Sequence, residues 1–329
     1  MKQTRPHLTD IRAAAARIAP YIRRTPLLRQ GNLDAALGCE VYLKPEMLQP
    51  VGAFKQRGAL NAILQLPAQE RGKGIITSSS GNHAQACAWA GQRLGIPVTV
   101  VIPEDAPQIK VDNARAMGAR VILAHRDYDE RWRLVAKECE EHGYIPVHPY
   151  EDPAVMAGQG TMGLEILADL PEVESVLVPI GGGGLISGVS TAIKEVNPSV
   201  RVIGVQAAAS AAYCRSREAG ERVSVDVQPT VADGLSCRRA GENPFPIIEE
   251  YVDELVEVQE KDILEAVRRI AAQARLMAEP SAAVGVAALL SKAAAVRPDE
   301  RVAIVLTAGN WDLPAMAQVL AGGSVEGVK

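Results

Sequence analysis

Four segments of this chain carry groups that could do chemistry. The first is PVGAFKQRGALNA, Pro50–Ala62, in which Lys55 follows Phe54 where a loop meets a helical pattern. The positive end of a helix and an apolar neighbour both disfavour the ammonium form and lower a lysine pKa. An amine tuned in this way is a nucleophile towards an aldehyde, although a lysine at a helix start is in most chains an exposed cation. The second is SSSGNHAQA, Ser78–Ala86, between the strand-like GIIT and a helical run. Hydroxyls and helix N-terminal amides converge there, at the carboxyl end of a strand where open α/β sheets hold ligands, and such amides suit a carboxylate. The plainer reading is a strand-to-helix turn with a Ser or Asn cap. His83 by itself reads as structural or as a hydrogen-bond donor rather than as a base.

The third segment is the strand-like SVLVPI followed by GGGGLISG, Gly181–Gly188. Four glycines leave no Cβ to keep a phosphate away, and the helix that follows adds its dipole. No Gly-Lys-Ser/Thr follows, the glycine spacing is not that of a dinucleotide fingerprint, and the next strand ends at Gln206 rather than at an acid. A small phosphate monoester fits better than NAD or ATP; a tight turn for packing is the alternative. The fourth is RVAIVLTAGN, Arg301–Asn310, which puts the Thr307 hydroxyl at the end of a buried strand; alone it reads as a strand-end cap.

These segments need a scaffold, and the pattern around them supplies one. Val/Ile-rich runs at 74–80, 98–103, 120–124, 175–180, 201–206 and 301–307 alternate with helical patterns near 82–94, 108–117, 129–141, 153–168, 261–277 and 281–294. A further helix, capped by Thr9-Asp10, opens the chain. Apolar strands separated by helices imply parallel strands buried on both faces, an α/β architecture. The stretch 206–231 reads as a helix followed by a surface loop.

Bulk properties narrow the class. The chain has 329 residues, enough for two lobes, and its 47% hydrophobic and 22% charged residues suit a substantial core. A net charge of −4 gives no general pull towards nucleic acid or an anionic membrane. The five cysteines form no CxxC pair, which argues against a disulfide framework or a zinc knuckle and fits a reducing cytosol. No apolar leader and no run long enough to span a membrane is present, so a cytoplasmic protein is expected.

Taken in order, GAFKQRGA, SSSGNHAQA and PIGGGGLISG resemble the fold-type II pyridoxal 5′-phosphate (PLP) enzymes, specifically the serine/threonine dehydratase and serine racemase group. HPYEDPAVMAGQGT (148–161), VADGLS (231–236) and AEPSAAVGVAAL (278–289) extend the likeness over about residues 5–320. The resemblance implies a two-lobed, tryptophan synthase β-like fold. Residues 1–50 and 146–329 would form a large cofactor-binding domain, and 51–145 a small mobile one. It makes Lys55 the Schiff-base lysine, with Phe54 against the cofactor ring and Asn82 on its phenolic oxygen. Gly181, Gly182, Gly183, Gly184 and Leu185 would hold the phosphate, Gly234 and Glu279 would line the cofactor, and Thr307 would meet the pyridine nitrogen. Ser79, Asn82 and His83 would receive the substrate carboxylate, and Ser80 would contact the substrate as a second catalytic residue beside Lys55. Ser80 also matches the serine that faces the opposite side of the ring from the lysine in racemases.

The implied reaction is β-elimination from a β-hydroxy-α-amino acid, by default L-threonine or L-serine, giving a 2-oxo acid and ammonia. Amino-acid racemisation is the alternative, as is dehydration of a specialised substrate such as 3-hydroxyaspartate or a hydroxyectoine-pathway compound. The group forms homodimers or homotetramers. Departures are visible. Ala53 stands where Ser is usual, Thr307-Ala308-Gly309-Asn310 replaces Ser-Gly-Gly-Asn, and Cys237 takes the place of a substrate-contacting serine. Gln206, Ser210 and Ala212 offer no carboxylate where racemases bind a divalent cation, so no metal site is expected. No amino-acid-sensing domain is expected after residue 320, so feedback by isoleucine is not expected either.

Overall fold

The computed structural model describes residues 5–79, 81–106 and 108–323. Among these residues, ten strands build two sheets. The larger holds β1 (Leu28–Arg29), β2 (Glu40–Pro45), β7 (Ser175–Pro179), β8 (Arg201–Ala207), β9 (Glu254–Val258) and β10 (Arg301–Leu306), in the order β1-β2-β10-β7-β8-β9. The smaller holds β3 (Ile75–Ser78), β4 (Val98–Pro103), β5 (Arg120–Ala124) and β6 (Ile145–Pro146), in the order β5-β4-β3-β6. All pairings are parallel except β1 with β2.

The strand β10 shows why these sequences are apolar throughout. Val302, Ile304 and Leu306 pack into one core cluster, while Ala303 and Val305 pack into another on the opposite face. Successive side chains of a strand point to opposite faces, so a sheet covered by helices on both sides needs apolar residues at every position. A third cluster joins the smaller sheet to the helix Lys55–Leu64, through Leu60, Ile63, Ile75, Val98 and Val100.

That helix is also clamped by charge. The Arg57 guanidinium forms two 2.8 Å bonds to the Glu46 carboxylate and bonds of 2.7 and 2.8 Å to that of Glu165, which also accepts from Lys44 Nζ at 2.6 Å. Lys44, Glu46 and Arg57 are fully buried. Two cations answer two carboxylates, and removing any one would strand a buried charge at a cost of about 3–5 kcal/mol. The network ties the helix that begins at Lys55 to β2 and to the helix Pro153–Asp169.

Local differences from the sequence expectations have local causes. The first helix runs Leu8–Ile18 and is capped from His7, whose amide donates to Asp10 at 2.9 Å, so Asp10 closes the cap from inside the helix. The helix expected over 261–277 ends its α-helical part at Arg269, continues as a π-turn over Ile270–Ala274 and stops at Arg275, with φ 59°. The stretch 206–231 contains a short helix, Ala212–Ala219, and then a loop.

Candidate active site

Lys55 opens the helix Lys55–Leu64, with Phe54 at its N-cap. Its side chain is half-buried. The amine donates to the Pro149 carbonyl at 2.9 Å and lies 5.2 Å from the centre of the Phe54 ring. Burial pulls its pKa down to about 8, while the sulfurs of Cys87 and Cys237 pull weakly the other way. The low pKa anticipated from the helix start is present, with desolvation as its main cause.

The residue after Pro149 connects this amine to the glycine turn. A Cβ on Gly182 would lie 2.2 Å from the Tyr150 ring, and one on Gly184 would lie 2.7 Å from Tyr150 Cα. One step along the chain therefore separates the carbonyl that holds the lysine from the ring that backs the turn. Gly183 has φ +92° and caps the helix Gly184–Lys194; a Cβ there would meet Tyr213 Oη at 2.1 Å. Close packing behind the turn thus excludes side chains at three consecutive positions. Leu185 anchors the same helix in the core.

The remaining residues gather on the other sides. Phe54 N–H donates to the Thr307 carbonyl at 2.9 Å, and Ala53 bridges to Ala308, so the end of β10 lies beside the residue before Lys55. Asn82 Nδ2 donates to Glu279 Oε1 at 3.2 Å, and its Oδ1 accepts from Asn310 at 2.9 Å. A Cβ on Gly234 would lie 3.6 Å from Glu279 Oε1. The Ser79 hydroxyl accepts from Gly81 N–H at 3.2 Å. Ser80 lies outside the described residues. His83 turns inward: its Nε2–H donates to the Val147 carbonyl at 3.1 Å. Burial first, and the Lys55 charge second, push its pKa down to about 3, so the ring is neutral.

The sequence reading missed an aromatic wall beside Lys55. His148 Nδ1 accepts from the Tyr150 and Glu151 amides at 3.3 and 3.0 Å, which leaves Nε2–H to donate to Tyr128 Oη at 3.0 Å. Tyr150 Oη donates to the same oxygen at 2.8 Å, and Trp132 stacks on His148 with centres 4.3 Å apart. Burial, then Lys55, drives the His148 pKa down to about 3, and burial raises that of the Tyr150 phenol. With Phe, Trp and Tyr at only 4% of the chain, their recurrence at 128, 132 and 150, around His148, was the available signal.

These groups fit a pyridoxal phosphate. A desolvated amine suits its aldehyde, and a glycine turn barred from side chains and opening a helix suits its phosphate. A buried threonine at the end of β10 suits an uncharged contact to its ring nitrogen. Lys55, Gly181–Gly184 and Thr307 are the residues that would hold it.

The lysine carries a pH signature. Only the neutral amine attacks an aldehyde, and with a pKa of about 8 roughly a tenth of it is neutral at pH 7. Uptake of PLP by cofactor-stripped protein is expected to quicken about tenfold per pH unit and to level off near pH ~8, whereas an ordinary lysine would keep gaining to beyond pH ~10. Stopped-flow absorbance across pH 6–10 reads the break point.

Comparison with known proteins agrees with this geometry. The family described as "Pyridoxal-phosphate dependent enzyme" matches residues 18–308. An L-threonine ammonia-lyase of Thermotoga maritima is 44% identical over 319 residues, covering 97% of this chain and 79% of that protein. A serine racemase of Arabidopsis thaliana is 39% identical, over 94% of each chain. The crystal structure of a T.th. threonine deaminase superposes with a TM-score of 0.88 at 42% identity, covering 94% of this chain and 99% of that one. A match that spans nearly the whole chain, on a scaffold that sets the lysine beside the strand-end threonine and, through Pro149 and Tyr150, beside the glycine turn, places this protein among the fold-type II pyridoxal-phosphate dependent enzymes.

Proposed function

We propose that this enzyme eliminates water from L-threonine or L-serine, yielding a 2-oxo acid and ammonia. The observation that carries this reading is the single-residue link between the amine's hydrogen-bond partner, Pro149, and the ring packed behind the glycine turn, Tyr150. When bound, pyridoxal phosphate supplies an electron sink for the charge left at the substrate α-carbon. Lys55 does the proton work. With its pKa lowered to about 8, a usable fraction of Nζ is neutral near physiological pH and takes the α-proton as general base. Returned to the β-hydroxyl, the same proton lets water leave in place of hydroxide. The unsaturated amine that is released tautomerises and hydrolyses in solvent to the 2-oxo acid and ammonia.

Ser79, the first amides of the helix Asn82–Leu94 and Asn82 are assigned to the substrate carboxylate, with His83 contributing its backbone N–H because its ring N–H is spent on Val147. Thr307 is assigned to the pyridine nitrogen: a hydroxyl leaves that nitrogen unprotonated where a carboxylate would protonate it. The weaker sink favours early loss of a β-substituent. Residues 51–145 are proposed as a small lobe moving over 1–50 and 146–329, which is in keeping with a separate sheet built from β3–β6. A cytoplasmic homodimer or homotetramer is the assembly proposed; no helix among the described residues is long and apolar enough to cross a membrane.

The test is a substrate panel. Purified holoenzyme incubated with L-threonine, L-serine, 3-hydroxyaspartate and the D-isomers is expected to release ammonia and 2-oxo acid fastest from L-threonine or L-serine, with little D-isomer formed. Ser80→Ala is expected to remove residual racemisation and spare most elimination. D-serine formed faster than ammonia would make the enzyme a racemase, and preference for 3-hydroxyaspartate would move the substrate assignment.

A further inference from the structure

Behind the glycine turn stands a hydrogen-bonded brace made by residues with no part in the mechanism above. Tyr213 is fully buried, and its hydroxyl is used both ways: it donates to the Gly182 carbonyl at 2.9 Å and accepts from Gly241 N–H at 2.9 Å. A peptide unit is planar and trans, so the carbonyl of Gly182 and the N–H of Gly183 point in opposite directions. Holding that carbonyl back against Tyr213 aims the Gly183 N–H forward, to the side away from the packed tyrosines. A peptide between two glycines has little intrinsic resistance to a flip, because neither residue carries a Cβ.

Tyr213 is held in turn by Gln206, at the end of β8, which is fully buried. Its Oε1 accepts from the backbone N–H groups of Tyr213 and Cys214 at 2.9 and 3.0 Å, and its Nε2 donates to the Ser210 carbonyl at 3.3 Å. Those two amides belong to the first turn of the helix Ala212–Ala219, whose own cap position is Ala211, a residue with no side-chain acceptor. A neighbouring strand therefore supplies the cap that the helix lacks. Ser210 Oγ reaches on to the Leu235 carbonyl at 3.3 Å, and a Cβ on Gly181 would meet Leu235 Cα at 3.2 Å. Both ends of the turn thus rest on segments tied together through one carboxamide.

We propose that Tyr213 and Gln206 are positioning residues for phosphate binding, with Tyr213 locking the Gly182–Gly183 peptide in its anion-facing orientation and Gln206 placing Tyr213. This rests on the reading that the glycine turn seats the cofactor phosphate. The test compares binding of PLP with binding of pyridoxal, which has the aldehyde but no phosphate, to cofactor-stripped wild type, Tyr213→Phe and Gln206→Met. Tyr213→Phe is expected to weaken PLP about 5- to 10-fold, the worth of one hydrogen bond, and to leave pyridoxal binding unchanged. Gln206→Met is expected to shift the PLP-to-pyridoxal ratio in the same direction. If Tyr213→Phe keeps the wild-type ratio, whether both affinities hold or both fall together, the brace is structural and the proposal is overturned. If wild type itself does not prefer PLP to pyridoxal, the parent reading of the glycine turn fails and takes this inference with it. Thermal denaturation of the stripped proteins accompanies each titration, and a general loss of fold would lower both affinities and not their ratio.

Discussion

Replacing Lys55 with alanine is expected to abolish both visible absorption and turnover, the latter by more than about 10³-fold. Two roles are lost together: the amine that links to the cofactor, and the base that takes the α-proton, a contribution worth about 10²–10⁴ by itself. Free amines in the buffer could restore part of the first role but not the second, because a diffusing base lacks the position imposed by the helix Lys55–Leu64. The fold should survive. Among the described residues Nζ makes one hydrogen bond, to Pro149, and the charged clamp that holds this helix runs through Arg57, which the substitution leaves in place. Absorbance, ammonia release and far-ultraviolet dichroism measured on one preparation separate the outcomes. Substantial activity in a folded Lys55→Ala protein would remove the catalytic assignment.

Gly183→Ala is expected to have the second-largest effect, weakening PLP at least about 100-fold. Two penalties coincide at this position. The backbone sits at φ +92°, where an L-residue costs about 1–2 kcal/mol. The added Cβ would also stand 2.1 Å from Tyr213 Oη and 2.8 Å from Pro244 Cβ. Relief requires the turn to move forward or Tyr213 to swing away, and either displaces the amides meant for the phosphate. Gly220→Ala is the matched control. Its φ is +72°, yet nothing lies within 4 Å of the Cβ it would gain. That variant should lose about 1 kcal/mol of stability and keep its PLP affinity. Fluorescence titration of stripped protein with PLP measures both; equal affinities for the two variants would show that the glycine turn is not the seat of the phosphate.

Much of the scaffold was legible because its rules are local. A strand buried on both faces must be apolar at each position, so β4, β7, β8 and β10 stand out as Val/Ile runs, and the helices between them follow from periodicity. The edge strand β9, ELVEV, mixes charge with apolar residues because one side of an edge is partly open, and it escaped notice for that reason. The π-turn at Ile270–Ala274 was equally hidden, since a helix that widens by one residue keeps a helical composition.

For the site, residue type and order were enough to single out Lys55, at a helix start, and the Ser78–Ala86 turn, the four glycines and Thr307, each at the carboxyl end of a strand where backbone groups stay free for a ligand. What surrounds them depended on distances across the fold. Tyr150 and Tyr213 back the glycine turn from segments 32 and 31 residues away from Gly182, and Gln206 caps a helix from a strand. His83 spends its ring N–H on a carbonyl 64 residues distant. Contacts of this kind depend on three-dimensional packing and on desolvation, which leave no periodic trace along the chain. A low lysine pKa could be foreseen from a helix start, but its main cause, burial, came into being only when the two sheets and their helices closed around the amine.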